Sequence, residues 1–142
     1  MPTSTRTPRE TVEEFLRVTA EGPREALAEF YAPDAVVRIP FAPEGVPREA
    51  VGRRTMRARS AATAGLWSFH AVEDVTLHET ADPQVVIAEF RVHGRITATG
   101  EPFSLGYINV VRVVDGLIVS SRDYGNPLES AALRDVLRGP LD

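Results

Sequence analysis

The sequence predicts an α+β fold, with helices gathered in the first half and long antiparallel strands in the second. Three observations lead there. Helical spacing and capping residues are confined to the region up to residue 64 and to the stretch from Asn126 onwards. From Trp67 onwards, apolar and polar residues alternate in runs of ten or so. Those runs are separated by turn sequences: Ala81-Asp82-Pro83, Thr99-Gly100-Glu101-Pro102 and Asp115-Gly116.

Thr7-Pro8-Arg9-Glu10 is a helix start, with Thr7 as N-cap, Pro8 in the first turn and Glu10 closing a capping box. Val12, Phe15, Leu16 and Thr19 follow on one helical face, and Gly22-Pro23 ends it. A second short helix over Arg24–Tyr31 buries Ala26, Leu27, Phe30 and Tyr31, with Pro33-Asp34 as its stop. A short strand, Ala35–Ile39, and a proline-rich loop, Pro40–Pro47, come next. Gly52 precedes a third helix over Arg53–Ala64, in which Met56 is the one large apolar side chain.

The strands are then Trp67–His78, Val85–Ala98, Phe103–Val114 and Leu117–Tyr124, with Asp115-Gly116 a strong hairpin signal. Asn126-Pro127 caps a closing helix, Leu128–Leu137. Antiparallel strands of this length curl, and helices laid across a curled sheet leave a cone-shaped hollow. The expected architecture is therefore a conical barrel: a curved, mainly antiparallel sheet closed by the N-terminal helices and the C-terminal helix. The 142 residues make one domain, with an ordered core over about residues 8–138.

Composition narrows the function. With 16 basic and 20 acidic residues the net charge is −4, which leaves no basic excess for nucleic acid. Arg53, Arg54, Arg57 and Arg59 have the spacing of a solvated helix face. The absence of cysteine excludes disulfides and thiolate chemistry. No signal-peptide pattern opens the chain, and no apolar run approaches the roughly 18 residues that span a bilayer. The expectation is a soluble cytoplasmic protein with no membrane partner. His70 and His78 are too far apart along a strand, and lack a third ligand, for a metal site. No phosphate loop, nucleophile elbow or dinucleotide fingerprint is present, so no cofactor is expected.

Strand parity sorts the side chains into faces. Along Val85–Thr97 the even residues are apolar, whereas the odd set includes Glu89, Arg91, His93 and Arg95. Either that polar row is solvated, or it lines a wet cavity beside Asp123, aided by a bulge near Gly94. Leu105, Tyr107 and Asn109 share one face of Phe103–Val114 and form a candidate ligand-facing stripe, and both faces of that strand carry large apolar groups. A twofold dimer through the sheet would cover the second face.

Asp123 ends an otherwise apolar strand, where an anion is costly to bury. It is either solvated or paired with an arginine, or it sits in a pocket that tunes it for proton transfer. His93 beside it would form a proton-shuttling pair; alternatively it is a solvated strand histidine. Arg91 could orient an anionic oxygen or satisfy Glu89. Tyr107 could donate to an oxyanion or simply pack in the core. Phe15, Phe41, Met56 and Trp67 are candidate apolar walls, each equally readable as core.

Four stretches carry a family resemblance: Phe30–Val36, Thr99–Phe103, Tyr107–Val110 and Val114–Ile118 continuing to Arg122-Asp123-Tyr124-Gly125-Asn126-Pro127. In this order they resemble the SnoaL-like group of the nuclear-transport-factor-2-like superfamily, which also holds ketosteroid isomerases and limonene epoxide hydrolases. The resemblance implies a usually dimeric conical α+β fold with a hydrophobic pocket. It implies acid–base chemistry by the aspartate matched here by Asp123, on a small apolar metabolite, in bacterial secondary metabolism. The epoxide-hydrolase Arg-x-Asp has only Arg91-Val92-His93 to match it, and the Tyr-x-Asn of those enzymes meets Val37-Arg38-Ile39. The expected function is thus a cofactor-independent isomerisation, cyclisation or dehydration; the alternative is a non-catalytic binding or assembly domain of the same fold.

Overall fold

The computed structural model describes residues 5–131, 133 and 135. Helix α1 (Pro8–Glu21) starts as its sequence dictates. The Thr7 backbone N–H donates to Glu10 at 2.9 Å and the Glu10 N–H to the Thr7 hydroxyl at 3.1 Å, a complete capping box. A 3-10 helix (Arg24–Phe30) leads directly into strand β1 (Tyr31–Arg38), and β2 (Glu49–Val51) folds back on it. Helix α2 (Arg53–Thr63) precedes β3 (Trp67–Glu79), β4 (Val85–Ile96), β5 (Pro102–Val114) and β6 (Leu117–Gly125).

The six strands form one sheet in the order β2-β1-β6-β5-β4-β3. Only β1 and β6 run parallel. The long meander β3–β6 therefore stands as expected, but the sheet does not close into a barrel. Its edges are β2 and β3. A three-residue β2 is too short to extend the ladder round to β3, so α1 covers the inner face instead.

The first strand begins earlier than its proline suggests. Tyr31 is already in the sheet, opposite Ile118, and the register shifts between Tyr31 and Val36. That irregularity accommodates Pro33, which has no N–H to give the ladder. Leu128–Leu137 is a turn at residues 127–130 with helical Ala131, Leu133 and Asp135; the remainder of the expected helix lies outside the described residues.

The inner face follows from register. Val86, Ala88, Phe90 and Val92 of β4 stand opposite Val111, Asn109, Tyr107 and Leu105 of β5. Asn109 and Val111 in turn face Asp123 and Ser121 of β6. Val12, Leu16 and Val18 of α1 lie on this surface with Phe30, and all four are buried. Two smaller cores flank it. Met56 packs with Ala32, Ala35, Val37 and Ala50, and Trp67 packs with Ile96, Phe103, Leu105 and Leu133.

The bulge expected near Gly94 lies on the neighbouring strand. Phe69 pairs with Gly94 and Ala71 with His93, so His70 is the extra residue and β4 keeps its alternation unbroken. Gly94 answers a different need. A Cβ there would sit 2.3 Å from the Ser68 carbonyl oxygen and 2.4 Å from the Phe103 ring. Because one of these is backbone, Gly94→Ala must displace β3 as well as Phe103. The expected cost is about 1–3 kcal/mol of unfolding free energy by urea denaturation, the usual range for overpacking. A wild-type midpoint would contradict this close approach.

Candidate active site

Asp123 lies where the inner faces of β5 and β6 meet α1. It lines a small cavity with Phe15 of α1, Tyr31 of β1, Phe90 of β4, Asn109 of β5 and Ser121. Val12, Leu16, Ala88, Val111 and Ile118 complete the apolar wall. The reason is local. Period-2 alternation turns Ser121 and Asp123 to the same side, and α1 covers that side.

The electrostatics follow from the enclosure. Burial pushes the Asp123 carboxyl up to about 6 from an ordinary value near 3.8. The Ser121 hydroxyl donates to Asp123 Oδ1, and the Arg59 charge on α2 acts in the same opposing sense. Desolvation outweighs both. Although Asp123 keeps a little accessible surface, protein surrounds its carboxyl on most sides.

Two phenols flank it. Burial, reinforced by the Asp123 and Glu129 charges, pushes Tyr107 up to about 12. Burial and Asp123 likewise push Tyr31 well above the ordinary tyrosine range. Both remain neutral donors at any physiological pH. Tyr107 stacks on Phe90 with ring centres 5.4 Å apart. It also lies against Gly125, where a Cβ would stand 2.7 Å from its ring.

Asn109 Oδ1 is buried with no hydrogen-bond partner among the described residues. An amide turned the other way would leave an N–H there instead. Either way an unmatched polar end costs about 1–3 kcal/mol. The site thus combines a carboxyl poised near neutrality, neutral phenolic donors and an unmatched amide in an apolar shell. That set can accept a proton, return it, and hydrogen-bond an oxygen that gains charge between the two events.

The cavity is tight, about 20 Å³, room for roughly one water molecule. A larger guest requires the rings of Phe15, Tyr31 or Phe90 to move aside.

Of the side chains expected here, Asp123, Asn109 and Phe15 line the cavity and Tyr107 stands next to it. His93 and Arg91 do not join them. Both occupy the odd positions of β4, opposite the face that carries Asp123. His93 lies 3.4 Å from Glu73, and Arg91 donates to Glu129 at 2.8 Å and Ser104 at 2.9 Å. The His93–Asp123 pair is therefore ruled out by the pleat, and the polar row of β4 lies outside.

Leu105 and Trp67 belong to the core under Leu133, and Met56 to the core under α2. Phe41 is 62% exposed and packs edge-on against Tyr124, with ring centres 5.4 Å apart. Those two rings, with Ile108, Arg91 and Glu129, border a separate open hollow of about 520 Å³. Ser121 and Tyr31 are site residues that the sequence pattern alone did not select. The period-2 spacing from Asp123 pointed to Ser121, whereas Tyr31 was hidden by its assignment to a helix.

Among the described residues no three metal-ligating side chains cluster. None of the helices described there is long and apolar enough to cross a membrane.

Comparison with known proteins agrees with this fold. Residues 12–121 match the model of the SnoaL-like domain. The chain is 33% identical over 119 residues to the Bacillus subtilis protein YesE, covering 84% of this chain and 81% of that one. A Bacillus subtilis crystal structure of a candidate isomerase has a TM-score of 0.82 at 30% identity, over 94% of both chains. A candidate polyketide cyclase from Pseudomonas putida shares the fold, with a TM-score of 0.75 at 18% identity, over 89% of this chain and 97% of its own.

A raised carboxyl makes stability depend on pH with a definite sign. Between its unfolded value near 3.8 and its folded value of about 6, the native chain holds a proton that the unfolded chain has lost. The stabilisation from the neutral carboxyl is present below 3.8 and lost as pH rises through about 6. Relative to wild type, Asp123→Asn should therefore gain stability as pH rises from 4 to 7, by up to about 3 kcal/mol at 1.36 kcal/mol per unit. Denaturant midpoints at a series of pH values measure it, and a pH-independent difference would contradict the burial.

Proposed function

The chain belongs to the SnoaL-like domain family, and on that premise we propose that it catalyses a proton-transfer step on a small, mostly apolar molecule. The step is an isomerisation, cyclisation or dehydration run by Asp123 without a cofactor. The observation that carries this reading is a carboxyl raised to about 6 inside an apolar enclosure. Near neutral pH such a group is mostly ionised and can take a proton, yet its conjugate acid is strong enough to return it.

The residues divide the work accordingly. Asp123 removes a proton from carbon next to a carbonyl, and the bonding pair moves onto the carbonyl oxygen. Tyr107 or Tyr31 donates a hydrogen bond to that oxygen as its charge grows. Asp123 then delivers the same proton elsewhere on the molecule, so no net charge is left. Ser121 holds the carboxylate in place throughout. Phe15 and Phe90 keep bulk water away, which strengthens each of these interactions.

Deuterium exchange into the α-carbon of small cyclic ketones in D2O, followed by proton NMR, tests the step without knowledge of the natural substrate. The protein should accelerate exchange, and Asp123→Asn should slow it by about 10²–10⁴. Unchanged exchange in the variant would contradict the role given to Asp123 and favour a pocket that only binds.

The same proposal includes a homodimer through the outer face of the sheet. Ile108 on that face is 46% exposed, and exposed Phe41 adjoins it through Tyr124. Ile108→Glu should then yield monomers in analytical ultracentrifugation where wild type sediments as a dimer. Monomeric wild type would contradict it.

A further inference from the structure

Asn109 and Asp123 are direct cross-strand partners on the inner face, so their side chains leave β5 and β6 with Cβ atoms about 4.5–5.5 Å apart. Both reach the cavity under α1. The Ser121 hydroxyl takes up one oxygen of the carboxyl, Oδ1, and no other hydrogen bond reaches Asp123 among the described residues. Asn109 Oδ1 is buried and receives none. Two acceptors thus stand side by side, facing a space of about 20 Å³. Neither can satisfy the other, because an amide oxygen and a carboxylate oxygen have no proton between them. A group that answers both must carry two donors and be very small. The opposite walls offer no such group: α1 presents Val12, Phe15 and Leu16, and β4 presents Ala88 and Phe90.

We propose that this cavity is a water site, in which one molecule donates to Asn109 Oδ1 and to the free oxygen of Asp123. Water has the two donors required, and a cavity of this volume holds one molecule. An apolar cavity would stay dry, but Tyr31, Asn109, Ser121 and Asp123 give this one a polar wall. Turning the Asn109 amide over leaves the assignment intact. Its N–H then donates to the water, and the water still donates to Asp123. Asn109 is accordingly a positioning residue that acts on the carboxyl through the water. The added hydrogen bond favours the ionised carboxyl, the form that accepts a proton. The titratable and charged groups facing Asp123 are Tyr31 from β1, Tyr107 from β5 and Arg59 from α2, while the α1 and β4 side chains at the cavity carry no charge. Only the bearing of the water on catalysis rests on the acid–base reading.

Oxygen-17 magnetic relaxation dispersion counts the waters that a protein holds for longer than it takes to tumble. Wild type should hold one more than Asn109→Leu, which keeps the size of the side chain and removes its polar end. Ala88→Val, which fills the cavity from β4, should lose the same water with Asn109 in place. In Asn109→Leu the Asp123 carboxyl, followed by carbon-13 NMR, should titrate about one pH unit higher than in wild type. An unchanged count in either variant, or a lost water with an unmoved Asp123 midpoint, overturns the inference. Ketone exchange separates this failure from that of the catalytic reading. A water lost in both variants beside full exchange activity in Asp123→Asn keeps the water site and removes the base.

Discussion

The burial of one carboxyl at the end of β6 is the constraint on which the rest of the site depends. An ionised carboxylate set among Phe15, Phe90 and Val111 is costly, and the protein offsets that cost only in part. One hydroxyl, from Ser121, reaches it, and one guanidinium, Arg59, acts on it from α2. A tighter ion pair would have fixed Asp123 as a permanent anion. Open solvent would have left it an ordinary surface acid. The intermediate arrangement keeps both protonation states within reach near neutral pH.

The sheet makes this arrangement possible through unbroken alternation. Because β4 carries no bulge, its polar row stays on the outer face, where Arg91 joins Glu129 and His93 approaches Glu73. Gly106 permits the first of these. A Cβ there would meet the Arg91 guanidinium at 2.8 Å, so a larger residue would push that side chain aside on its way across β5 to Glu129. The Glu129 carboxylate also accepts from the Gly106 N–H at 2.9 Å, tying the segment after β6 to the edge that β6 leaves free. At the other end, Arg24 fastens the 3-10 helix to the start of β3. It donates to the Trp67 carbonyl at 3.1 Å and lies over the rings of Trp67 and Phe69. The two faces of one sheet thus do different things. The inner one shelters the Asp123 carboxyl, and the outer one is knitted by ion pairs.

Much of this was legible in the residues themselves. The capping box at Thr7 and Glu10, the Asp115-Gly116 turn and the parity of Leu105, Tyr107 and Asn109 all rest on local rules that tertiary context did not override. Positive φ values of 52° at Asp115 and 77° at Gly116 are what that turn requires. The misplacements have a common origin in contacts distant along the chain. Tyr31 reads as the end of an apolar helical face, yet its place is decided by pairing with Ile118 far down the sequence. For His93 the sequence left two readings, a pair with Asp123 or a solvated strand histidine, and pleat parity decides for the second. Trp67 and Met56 are large and apolar, and nothing local distinguishes a pocket wall from the core beneath Leu133 or α2.

Membership of the SnoaL-like family accounts for the frame, and the named relatives include a candidate isomerase and a candidate polyketide cyclase. The chemistry attributed to this chain stands on its own atoms, above all on the protonation of Asp123. Carbon-13 NMR of the Asp123 side-chain carboxyl, titrated from pH 3 to 9, tests that most directly. The account predicts a midpoint near 6. A midpoint close to 4, the value of a solvated carboxylate, would contradict it.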